Sequence, residues 1–105
     1  MSNNEQASDL SNLSILPGQS VNIELNDDQR YKTQLLGINP QHTVLIATPI
    51  LGKDRPLLVR KGQLINVRFF TKKVACAFQA KVRHICTTPY HYIHLTYPNK
   101  VIIDE

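Results

Sequence analysis

The sequence predicts an all-β domain: a small antiparallel barrel or sandwich of six strands, preceded by a disordered or loosely attached N-terminal arm. Three observations carry this expectation. Six segments either alternate apolar and polar residues with period two or form short apolar runs rich in strand formers. Turn residues separate most of them at short spacing. Beyond one possible helical turn at "LSNL", no segment sustains the periodicity of a helix.

Residues 1–14 open the chain with a polar stretch of low aromatic content and are read as the arm, leaving 15–105 as one domain. From Ser20, Val21, Ile23 and Leu25 alternate with Asn22, Glu24 and Asn26, a half-buried strand that Asn26-Asp27-Asp28 turns back. Arg30 to Ile38 ("RYKTQLLGI") forms the second strand, with Gly37 as a bulge or point of close approach and Asn39-Pro40 as its end. Thr43 to Thr48 ("TVLIAT") is short and apolar enough to be buried on both faces. Two prolines and two glycines punctuate Pro49 to Gly62, so this segment reads as a long connection. Leu64 to Phe70 alternates again, and "TKK" turns the chain. Val74 to Cys86 is the longest strand: Val74, Cys76, Phe78, Ala80 and Val82 form its core face, and Gln79, Lys81 and Arg83 its solvent face. "TTP" breaks the run, and Tyr90 to Thr96 returns as the sixth strand with Ile93 and Leu95 inward.

An internal echo runs through these elements. "PGQSVNIEL" and "KGQLINVRF" share Gly-Gln followed by the same alternation, starting at Gly18 and Gly62, and differ in charge at Glu24 and Arg68. Two copies are too few for a repeat array, so the echo marks two strands in equivalent positions of one barrel.

Composition narrows the function classes. At 105 residues the chain holds one modest core, and no apolar run reaches the length of a membrane helix. The first 20 residues lack the order of a secretory signal, which makes the cytoplasm the expected compartment. Cys76 and Cys86 are too few and too isolated for a disulfide framework or a zinc site, and are read as reduced thiols in or near the core. The first 29 residues carry five acids and no base, whereas residues 30–103 carry all 12 Lys and Arg against Asp54 alone. So basic a body attracts anionic partners without choosing among them.

Catalytic signals are missing. Asp54 cannot supply a carboxylate pair, no serine sits in a nucleophile elbow, and "GKDRP" lacks the glycine run and Ser/Thr of a phosphate-binding loop. His91 and His94 are three apart on a strand and point to opposite faces, while His84 and His91 flank the turn before the last strand and either meet across the hairpin or, in the blander reading, are polar tips at a barrel end. The pattern argues against an enzyme and assigns no metal site. Arg68, Lys72, Lys73, Lys81 and Arg83 fall on two adjacent strands and their turn, making them the candidate partner-binding basic face. The bland alternative is a solvated sheet surface with few outward aromatics.

The successive segments "LPGQSVNIEL", "RYKTQLLGI", "TVLIATP", "VRKGQLINVRFF" and "VACAFQAKVRHICTTPYHYIHLTYP" resemble the N-terminal domain of YcgR-like flagellar-brake proteins, the PilZN type. The resemblance covers Leu16 to Ile103 and rests on Gly37, Thr48-Pro49, Gly62, Val67-Arg68, Phe78 with Val82, Pro89 and Tyr97-Pro98. It implies a six-stranded split β-barrel. It also implies a regulatory module of cyclic di-GMP signalling that contacts a flagellar motor component or a PilZ-bearing protein, with the flagellar basal body as a place for that contact.

In that family a following PilZ domain binds the messenger through Arg-x-x-x-Arg and Asp/Asn-x-Ser-x-x-Gly. This chain has neither motif, and "NLSILPG" at Asn12 to Gly18 has one residue too many. No cofactor site is therefore expected here, and cyclic di-GMP enters only if a PilZ domain follows or a partner supplies one. After Tyr97-Pro98, Val101, Ile102 and Ile103 of "KVIIDE" are read as a strand able to close the barrel edge, to await a second domain, or to join another copy in a homo-oligomer. The alternative function is a small basic barrel that binds RNA or single-stranded DNA through the same face.

Overall fold

A computed structural model describes residues 5–10, 13, 15–25, 29–71 and 74–104. Six of its strands close a barrel: β2 (Ser20–Glu24), β3 (Arg30–Asn39), β4 (Thr43–Ala47), β7 (Leu64–Thr71), β8 (Val74–Cys86) and β9 (Tyr92–Thr96). All neighbours are antiparallel, in the cyclic order β2-β3-β4-β9-β8-β7. The period-two alternation is what closes it. Val21, Ile23, Val44, Ile46, Ile65, Val67, Phe78, Val82, Ile93 and Leu95 all point inward and are buried in one cluster. The "TVLIAT" segment differs from expectation: Val44 and Ile46 are fully buried, but Leu45 on the other face is only half-buried. Among the described residues no second layer of strands covers the outside of the sheet there. Among the described residues no helix is long and apolar enough to cross a membrane.

The echo is a structural one, because β2-β3-β4 and β7-β8-β9 repeat the same meander about an internal two-fold axis. Gly18 donates its N–H to the Leu35 carbonyl at 2.7 Å, and Gly62 donates to the Val82 carbonyl at 2.7 Å. Leu35 and Val82 answer by donating to the carbonyls of Gln19 and Gln63, each at 2.9 Å. The ladder slips once after Leu35 in β3 and once after Val82 in β8, at corresponding points. The axis passes where Ile23 faces Val67 and where Leu45 faces His94. The single charge difference between the copies then acquires a reason. Glu24 and Arg68 meet diagonally across the axis at 3.5 Å, where two identical charges would repel.

Both echo glycines have positive φ, +92° and +88°, with open space where a Cβ would stand. An L-residue there costs about 1–2 kcal/mol in backbone strain alone. Gly18→Ala and Gly62→Ala are each expected to lower the unfolding free energy by that amount in urea titrations. Unchanged midpoints would show that the two turns do not need glycine.

The connection from Pro49 to Gly62 contains a small hairpin, β5 (Ile50–Leu51) against β6 (Arg55–Pro56). The C-terminal segment forms β10 (Val101–Asp104), which pairs with Ala75 to Ala77 of β8. The long strand β8 thus holds β7 along one edge, while the other edge holds β10 first and β9 afterwards. Val101 is completely buried, and Ile103 packs on the core beside it.

At the N-terminus β1 (Glu5–Ser8) pairs with the outer edge of β10. Leu10 is buried, and the Tyr97 hydroxyl donates to Asp9 Oδ2 at 3.0 Å. Backbone pairing against an edge needs no apolar alternation, so hydrophobic patterning does not register it. Both edges of β10 are consequently occupied within the chain. The turn expected at Asn26 to Asp28 lies outside the described residues.

Candidate functional site

The basic residues singled out from the sequence fall into separate groups. Arg68 is exposed near the axis, where its guanidinium and that of Arg30 share the Glu24 carboxylate, with Arg30 Nε at 3.0 Å. The hydrogen bond from Arg30, aided by Arg68, holds the Glu24 carboxyl below its ordinary value. Arg68 stands opposite Ala77, four residues along β8 from Lys81 and therefore roughly 13 Å away along the strand. Lys81 and Arg83 lie towards the other end. Lys72 and Lys73 lie outside the described residues. The structure does not bring Arg68, Lys81 and Arg83 into one cluster.

The slip after Val82 decides what surrounds Arg83. Strict alternation would send His84 inward; the bulge leaves Arg83 and His84 both exposed. His84 then stands directly opposite His94 of β9, not His91 as a contact across the turn would have it. Their rings meet edge to face with centroids 5.6 Å apart. The contact continues along β9: His94 to Tyr92 at 5.5 Å, then Tyr92 to Tyr90 at 5.6 Å. Four rings therefore form one outward ladder. Arg83 closes its end, donating from Nη1 to the His42 carbonyl at 3.3 Å beside a hollow of about 320 Å³ that Thr43 also lines.

Burial, with His84 and Arg83 nearby, pushes the His94 imidazole below its ordinary value, so its ring is neutral at neutral pH. A hydrogen bond with the Cys86 thiol raises the Tyr92 phenol. Among the described residues no three His, Cys, Asp or Glu side chains gather as a metal site would require.

The ladder corrects the expectation that outward aromatics are few. Tyr90, Tyr92 and His94 stand at alternate positions in "YHYIHL", so the same period-two count that assigned Ile93 and Leu95 to the core places these three on the outside. His84 was not findable in that way, because only the bulge sets its direction. The arrangement suits recognition: planar rings and a guanidinium edge stand together on a rigid sheet.

Comparison with known proteins agrees with this architecture. The family profile described as flagellar protein YcgR (PilZNR) matches residues 16–98. Among solved structures, that of the Bacillus subtilis inhibitor of motility MotI/DgrA superposes with a TM-score of 0.65 at 22% identity, over 82% of this chain and 43% of that one. At that identity the likeness speaks for the fold, and this chain spans less than half the length of the structure it resembles. Among curated protein sequences there is no significant match.

Proposed function

Since the chain belongs to the family of the flagellar protein YcgR, matched over residues 16–98, we propose that it is a non-enzymatic docking module of bacterial motility control. It binds a protein partner of the flagellar motor through the outward face of β8 and β9. The ring ladder beside Arg83 carries this reading. Tyr and Arg on a rigid sheet are the residue types that dominate protein interfaces, and the neighbouring bases at Arg60, Lys61 and Lys81 suit an acidic rim on the partner. In this reading the module has no messenger site of its own. Cyclic di-GMP acts through a PilZ domain carried by the same or a partner protein.

The test is site-directed photocrosslinking from position 90 in a motile host, scored with swimming halos in soft agar. The parent chain is expected to crosslink to a motor protein and narrow the halo. Tyr92→Ala and Arg83→Glu are each expected to weaken capture by roughly thirtyfold. Capture and halos that match the parent in both variants would sink the proposal.

The ladder also gives a second reading substance, since exposed rings beside bases form a stacking platform for RNA or single-stranded DNA. That reading expects oligonucleotide affinity to fall steeply with salt. Absence of binding at low salt removes it.

A further inference from the structure

We propose that the groove between β3 and the β5–β6 hairpin receives an extended segment of a partner protein, added as a strand beside Arg30 to Lys32. The segment carries branched apolar residues at alternating positions and an acidic residue. This site is separate from the ladder face and stands independently of it.

The internal two-fold supplies the argument. Ile23 opposite Tyr31 in one meander corresponds to Val67 opposite Phe78 in the other, and the echo aligns Leu25 with Phe69. Phe69 and Phe78 are buried edge to face at 6.2 Å, and β10 lies over this region with Val101 fully enclosed. Their counterparts Leu25 and Tyr31 are only half-buried and line an open groove of about 540 Å³ with Leu51, Pro56, Leu57 and Leu58. On the edge of β3 away from β2, no strand among the described residues pairs with Arg30, the counterpart of the Ala77 position where β10 pairs with β8. The open groove is therefore the place that β10 fills in the other half.

The chain itself shows why the two halves part. β4 and β9 are followed by Thr48-Pro49 and Tyr97-Pro98, and both prolines are buried. After Pro98 the chain comes back as β10, whereas after Pro49 it turns aside into the hairpin and leaves Leu58 87% exposed. The difference extends to polar groups. The Tyr97 hydroxyl is bonded to Asp9, but Thr48, only 6% exposed, has no hydrogen-bond partner for its Oγ1 among the described residues.

Charge sets the remaining specificity. Arg55 lines the groove and has no acidic partner among the described residues. A strand added there gains backbone hydrogen bonds along the edge and specificity from alternate side chains. The occupant of the equivalent place, Val-Ile-Ile-Asp, is a sequence of the required kind.

The probe is a synthetic Lys-Val-Ile-Ile-Asp-Glu peptide titrated into the full chain and followed by amide NMR shifts. Saturable shifts are expected at Arg30 to Lys32 and Leu57 to Leu58. Leu58→Asp in the chain, or Lys in place of both acids in the peptide, is expected to weaken binding by about tenfold. Three results would overturn the proposal: no saturable binding, shifts confined to Ala75 to Ala77 where β10 already lies, or a dimer in the absence of peptide that buries Leu58. The last would assign the groove to a second copy of the chain.

Discussion

Val101→Asp is expected to release β10 from β8 while the six-stranded barrel stays closed, and to raise the thiol reactivity of Cys76 by roughly a hundredfold or more. Val101 has no exposed surface, and a carboxylate in its place costs several kcal/mol when it stays buried without a partner. Detaching β10 lets that charge reach water. It also uncovers Cys76, which pairs with Ile103 and is otherwise 3% exposed. Burial pushes the Cys76 thiol up, which further suppresses its thiolate in the intact fold. Labelling with a chromogenic disulfide is therefore expected to resolve two rates in the parent chain, the faster one from half-buried Cys86. In the variant the slow phase should merge with the fast one. A slow phase that persists would show that β10 does not guard this thiol.

The second large effect is global. Ile93→Ala is expected to lower the unfolding free energy by about 2–5 kcal/mol, because a fully buried branched side chain leaves a cavity that the surrounding strands cannot collapse into. Ile93 faces Ile46 of β4 on one side and Ile85 of β8 on the other, so it sits where the two meanders close on each other. For a domain of this size the loss corresponds to a fall in melting temperature on the order of 15 °C. Calorimetry checks it, and a shift of a degree or two would mean that the seam repacks.

Most of the barrel was legible in the sequence, because a strand with one buried face records its own register. Val21 and Ile23, Ile65 and Val67, and Ile93 and Leu95 each announced their orientation, and the Gly-Gln echo marked β2 and β7 as equivalent strands of one barrel. Four features were not legible, each for a physical reason. Pairing of Glu5 to Ser8 with β10 is a backbone interaction that leaves no apolar pattern. Phe69 is buried in the half that holds β10, a strand far away in sequence, whereas Leu25 in the other half is only half-buried. At the candidate site, Arg83 was marked correctly as outward, but its neighbour His84 joins it only through the bulge. Arg68, assigned to the same basic face from strand adjacency, is held apart by its distance along β8 and by the shared Glu24 carboxylate.

The internal two-fold also has a kinetic meaning. Each meander is built from neighbouring segments joined by short turns, so its loops close quickly and at little entropic cost. The pairings that join the halves, β2 with β7 and β4 with β9, are the long-range ones. Folding of this barrel is accordingly an association reaction carried out within one molecule. The connection between β4 and β7 acts as the tether that fixes the effective concentration of one half around the other.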